Sequence, residues 1–166
     1  MITNAVIIRD LHSRMKVAFA QRPHGAEHSA ACAEFHARYD ALAFPGGLQR
    51  GLKLVADHDP VSIDVAVAFL FIRPNFYRSG YIQEELAKHL KRAPLTNDQQ
   101  KRLAQVVLRS VTSGPRRLAA ACARLAPAID SAALLRGLDA HINSADPEIA
   151  RRAARVATLL TRTAKR

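Results

Sequence analysis

The 166-residue chain predicts an all-α fold, and three observations lead there. Apolar residues recur at helical spacing through most of the chain, broken by Pro and Gly at fairly even intervals. Six Phe, three Tyr and no Trp leave a core built mainly from Ala, Leu, Val and Ile. Such residues suit close helix–helix packing better than a β-sandwich. Only the segment Val61 to Ile72 alternates like a buried strand, and it has no second strand to satisfy its backbone. It reads as a fully buried helix.

The elements follow in order. The first helix is expected over Ala5 to Gln21, stopping before Pro23. A second runs from about Gly25 to Phe44 and ends at Pro45-Gly46-Gly47, and a third spans Leu48 to Ala56. The fourth covers Pro60 to Ile72, with Asp59 as N-cap and Pro60 at the first helical position. A fifth, from Gly80 to Arg92, aligns Ile82, Leu86 and Leu90 on one stripe. The sixth spans Asp98 to Thr112, capped by Thr96 or Asn97, and Ser113-Gly114-Pro115 ends it. Arg116 to Leu125 forms the seventh; Pro127 and Ile129-Asp130-Ser131 precede an eighth from Ala132 to Ile142. The ninth, Pro147 to Ala164, carries the stripe Ile149, Ala153, Val156, Leu160. Roughly nine helices in antiparallel pairs, with no evident linker, make one compact domain over residues 1–166 the economical reading.

The longest early apolar run, Ala5 to Ile8, is too short for a signal-peptide core, and no stretch approaches the roughly 18 apolar residues of a membrane span. Cys32 and Cys122 lie far apart and form no CxxC pair, so reduced thiols and a cytoplasmic location are expected.

Charge is the strongest global signal. The chain carries a formal +11, unevenly spread: residues 1–83 hold nine Lys/Arg against seven Asp/Glu, and residues 84–166 hold sixteen against seven. A basic half invites nucleic acid, a membrane surface or an acidic protein. Arg outnumbers Lys nineteen to six, a bias that GC-rich codon use also produces.

The stretches Gly51 to Leu70 and Gly137 to Leu160 share a helix, an Asp-Pro turn and a second apolar helix. The second resembles a HEAT repeat, whose helical pair is joined by an Asp-containing turn ahead of a helix bearing a Val-Arg type pair. Asp146 matches the turn Asp and Ile149 the apolar position. Ala150, and Asp64 in the earlier copy, stand where the Arg belongs, and Arg151 lies one place late. The resemblance covers about forty-five residues. It implies stacked helical pairs with an exposed concave surface of α-solenoid type, and a protein–protein scaffold as one function.

Four sets of residues are candidates for chemistry. His24, His28, Cys32, His36 and Asp40 follow one another at steps of four. On a helix that ladder spans about 24 Å and drifts about 40° per step, so only adjacent pairs such as His36 with Asp40 could chelate. The ladder therefore reads mainly as helix packing. The dipeptide His58-Asp59 resembles the signature of all-helical HD-type metal phosphohydrolases. That resemblance implies a divalent metal held by His28 or His36, then His58 and Asp59, then Asp139 or Asp146. Such pairs usually sit within a helix, whereas Asp59 reads first as the cap beside Pro60 with His58 exposed, and no Gly-rich phosphate loop, HExxH, GxSxG or paired CxxC advertises an enzyme. No cofactor is implied.

The segment Phe69 to Tyr81 holds five of the aromatics, with Arg73 and Arg78 interleaved. Tyr77 and Tyr81 beside Arg are types that stack on bases, anchor protein partners or plug a helix joint. The last helix presents Arg151, Arg152, Arg155 and Arg162, with Arg166 continuing the row, and Arg116, Arg117, Lys101 and Arg102 add to the basic half. As a phosphate-binding ridge such a row gives salt-sensitive affinity with little sequence readout. The expected function is a non-enzymatic binding module whose basic C-terminal half contacts nucleic acid or an acidic protein surface.

Overall fold

The computed structural model describes residues 1–129 and 131–164, with the side chains of 131–133 and 163–164 outside the description. Among the described residues the secondary structure is helical throughout: α1 (Ile2–Gln21), α2 (Ala26–Ala43), α3 (Leu48–Ala56), α4 (Pro60–Ile72), α5 (Ser79–Leu90), α6 (Asn97–Thr112), α7 (Arg116–Leu125), a short 3₁₀ turn (Ala126–Ala128), α8 (Ser131–Ile142) and α9 (Pro147–Ala164). The all-α expectation holds, and α3, α4, α7 and α9 keep their expected bounds. The differences lie at ends: α1 starts three residues earlier than Ala5, and α5 runs from Ser79 to Leu90, short of Arg92. Thr96 is the cap of α6, through a reciprocal capping box with Gln99. No helix among the described residues is long and apolar enough to cross a membrane.

The chain divides into two compact units, residues 1–54 with 74–79, and residues 55–73 with 80–166. In the first, α1 and α2 form an antiparallel hairpin. Asn4 Nδ2 donates to the Leu42 carbonyl at 3.2 Å, and Arg14 Nη2 meets Glu34 Oε2 at 2.7 Å. Ala5, Ile8 and Leu11 of α1 and Phe35 of α2 are buried. Residues 74–79 belong to this unit: Tyr39 Oη donates to the Tyr77 carbonyl at 2.9 Å, and the Tyr77 ring lies 4.4 Å from His12 and 5.6 Å from Phe35.

In the second unit α6 is central. It lies against α4, α7, α8 and α9, while α7 also meets α9, and α8 meets α9. Thus α4, α6 and α8 form one layer, with α7 and α9 in a second; Arg117 of α7 also binds Glu84 of α5. The first-layer helices begin at Pro60, Asn97 and Ser131, a spacing of about 35 residues. Leu103, Val107, Leu125, Leu134 and Leu138 are fully or almost fully buried in this core. The two alike stretches fall out of phase, because α4 occupies the first layer and α9 the second.

Helix α4 departs from the fully buried expectation. Its apolar residues run all round, so packing one side leaves the other outside: Ile63, Ala66, Val67, Phe69 and Leu70 are buried, whereas Val61 is 71 % exposed. Asp59 caps it, its carboxylate accepting from the Ser62 amide at 2.8 Å. Little more than one turn beyond that cap, Asp64 Oδ1 accepts from Gln99 Nε2 of α6 at 2.7 Å, which ties α6 to α4.

Candidate functional site

The residues that gather are on α7 and α9. Asp146 starts α9 by accepting from the amides of Glu148 (2.8 Å) and Ile149 (3.3 Å). The apolar stripe then points inward, with Ala153, Val156 and Leu160 buried, while Arg151, Arg155 and Arg162 are exposed. Helix α7 has Leu118, Cys122 and Leu125 facing its core and small residues on its flank. Between the two helices lies a groove of about 450 Å³, open to solvent, with Ala119, Ala120, Ala123 and Val156 among the residues that line it. Its charged lining is Arg116, Arg151, Arg152, Arg155 and a single carboxylate, Glu148. Helical phase and the shortness of Ala make this groove: bulky residues on that flank of α7 would fill it.

Electrostatics differ among the four arginines. Arg152 is structural as well as charged: 17 % exposed, it pairs with Glu148 Oε1 at 2.8 Å and donates to the carbonyls of Gly114 (3.2 Å) and Ser110 (3.4 Å). Arg151 pairs with the other Glu148 oxygen. Hydrogen bonds from Arg151, then Arg152, hold the Glu148 carboxyl below the usual carboxylate range. Arg116 and Arg155 have no ion-pair partner among the described residues. Arg116 also stands at the N-terminus of α7, where no acidic residue lies in the first turn and Pro115 provides no side-chain cap. Positive charge at a helix N-terminus is unfavourable, and a bound anion reverses that sign. Arg162 is exposed two turns further along α9, about 10 Å on.

The remaining expected binding residues are placed elsewhere. Arg73, the left-handed C-cap of α4 (φ 56°), donates to the Ser113 carbonyl at 3.4 Å and so closes the turn between α6 and α7. Arg117 binds Glu84, and its guanidinium lies 4.5 Å from the Tyr81 ring centre. Tyr77 and Arg78 belong to the first unit, with Arg78 stacked 5.8 Å over Tyr77. The aromatic segment is therefore divided: Phe76 and Tyr77 go to the first unit, Phe69, Phe71 and Tyr81 to the second. Arg102 pairs with Asp98 on its own helix. Arg166 lies outside the described residues.

The metal candidates are not brought into a cluster. Among the described residues, no group of three or more His, Cys, Asp or Glu is placed to hold an ion. His24 precedes α2 in a turn with φ 60°, so the ladder loses its first rung to the helix start at Ala26. His28 Nε2 contacts Cys32 Sγ at 3.2 Å. His36 packs edge-on against Phe35, and Asp40 Oδ1 accepts from the Gln49 amide at 3.1 Å, at the start of α3. His58 is exposed with φ 63°, and hydrogen bonding from Ser62 holds the Asp59 carboxyl below its usual range. Both cysteines are free thiols; burial pushes that of Cys122 upward.

A second basic groove was not marked by the sequence reading. It lies between α5 and α7, where Lys88, Lys91, Arg92 and Arg124 line about 1250 Å³ of open space together with Glu84 and Glu85. These residues form no motif along the chain; the fold brings them to one groove, beside which Arg117 of α7 binds Glu84 of α5. Comparison with family models, with curated proteins and with solved structures finds no match to this chain.

Proposed function

We propose that the second unit is a binding module for nucleic acid, its arginine groove taking backbone phosphates. The observation that carries this reading is the convergence of Arg116, Arg151, Arg152 and Arg155 on one groove with Glu148 as the sole carboxylate. Two of the four keep an unneutralised charge, and a guanidinium presents a planar fork of donors that matches phosphate oxygens. The layered order of α4, α6 and α8 against α7 and α9 supports a helical-repeat platform of the kind the HEAT resemblance implies. A groove of this make reads charge and backbone shape and offers little discrimination of sequence.

The test is fluorescence anisotropy of a labelled oligonucleotide of mixed sequence, titrated with the whole protein at increasing salt. The reading expects micromolar or tighter binding, with log affinity falling linearly against log salt at a slope of about 2 to 4 phosphate contacts. Absence of binding at about 50 mM salt overturns it and leaves the charge to an acidic protein surface.

A further inference from the structure

We infer that the nucleic acid taken by this module is single-stranded, and that it crosses α7 from the α7–α9 groove into the α5–α7 groove with a base stacked on Tyr81. The inference rests on the nucleic-acid reading above and adds the substrate class. Around α7, successive residues turn by about 100°. Arg116, Ala119, Ala120 and Ala123 therefore form one flank, and Arg117, Ala121 and Arg124 form another, with the outward face of the helix between them. The first flank lines the α9 groove; Ala121 and Arg124 of the second line the α5 groove. Both grooves are basic. In the second, Glu84 is bound to Arg117 and Glu85 is shared by Lys88 and His89, leaving Lys91, Arg92 and Arg124 in surplus among the described residues.

Tyr81 lies on α5 one turn before Glu84, which lines the α5–α7 groove. It is 58 % exposed, and Arg117, steadied by Glu84, lies over one face of its ring. Arg117 is the chain neighbour of Arg116, which belongs to the other groove. An aromatic ring roofed on one face by a guanidinium and otherwise open is a platform for an unpaired base, whose π-face a duplex does not offer. Phosphates on either side of α7, which with side chains is about 10–12 Å across, bracket that base within a few nucleotides. A phosphate-only ridge would have no use for Tyr81; a single strand uses all three features.

The experiment compares three labelled probes by anisotropy against the full chain: a single strand of about 12 nucleotides, its duplex, and an abasic strand of equal length. The single strand is expected to bind at least about tenfold tighter than either of the others. Tyr81→Ala is expected to weaken binding of the single strand about tenfold and to leave the abasic strand unchanged, while Tyr81→Phe keeps wild-type affinity. A general loss of structure would lower all three probes together, and rescue by Phe excludes it. Lys91→Glu with Arg124→Glu is expected to reduce single-strand affinity and flatten the salt slope. Equal binding of strand and duplex, indifferent to Tyr81→Ala, overturns the single-strand inference while leaving the phosphate groove standing. Failure of every probe to bind overturns the underlying reading as well.

Discussion

Arg73 and Gly114 share one volume: the Arg73 guanidinium fills the space that a side chain on Gly114 would occupy, and it donates to the neighbouring Ser113 carbonyl at 3.4 Å. Gly114 also holds φ +117°, a region L-residues rarely adopt. The same glycine offers its carbonyl to Arg152, so this turn fixes both the start of α7 and one wall of the α7–α9 groove. Gly114→Ala is expected to destabilise the fold by about 1–3 kcal/mol in urea denaturation. Adding Arg73→Ala should recover the collision but not the backbone strain. An unchanged midpoint for Gly114→Ala would contradict this account of the turn.

Gln99 does two jobs, closing the capping box with Thr96 and donating to Asp64. Gln99→Ala should cost about 1–2 kcal/mol, since it loses both. Gln99→Glu keeps the cap but sets a carboxylate against Asp64. Its thermal midpoint should fall well below wild type at pH 7 and approach it as acid protonates the new group. A deficit independent of pH would sink the contact.

Tyr39 is held by burial, its hydroxyl bonded to the Tyr77 carbonyl, and its phenol is pushed up to about 12. Ultraviolet titration of wild type minus Tyr39→Phe should show one tyrosine ionising near 12. A difference spectrum centred near the ordinary value of about 10 would contradict the packing of residues 74–79 on the α1–α2 hairpin.

Glu148 has its carboxyl held below the unfolded value by Arg151 and Arg152. A depressed acid stabilises the fold above the unfolded value of 4.5, and that contribution drains away as pH falls through the lower folded value. Glu148→Gln should remove this acid-side loss. It should also raise affinity for an oligonucleotide severalfold, because it takes the one carboxylate out of the groove. Unaltered affinity would place the phosphates elsewhere.

Much of the fold was legible because the helices announce their ends. Asp59 beside Pro60 and Thr96 or Asn97 are caps whose chemistry is local; the structure forms the Asp59 cap, takes Thr96 and closes it with Gln99, and makes the turn residue Asp146 a cap as well. The burial of α4 was less legible: an apolar residue on every side of a helix says nothing of which side meets a neighbour, and Val61 ended outside. The Arg row of α9 could be read by phase, and Arg116 by charge. That Arg73 and Arg152 bind carbonyls could not, because their partners lie about forty residues away. Lys91, Arg92 and Arg124 were missed for the same reason. The aromatic segment misled because residues 74–79 pass from one unit to the other in mid-run, a division that no local pattern records.

The proposed phosphate site rests on the geometry of the α7–α9 groove and not on bulk charge. The most direct measurement compares Arg116→Glu with Arg155→Glu in one protein against Arg9→Glu with Arg50→Glu in another, two exposed arginines of the first unit. Both variants change the net charge equally. The expected result is that the groove variant loses about a hundredfold or more in oligonucleotide affinity and gains a flatter salt slope, while the control falls only a few-fold and neither thermal midpoint drops below wild type. Equal losses in the two variants would contradict it and reduce the attraction to net charge alone.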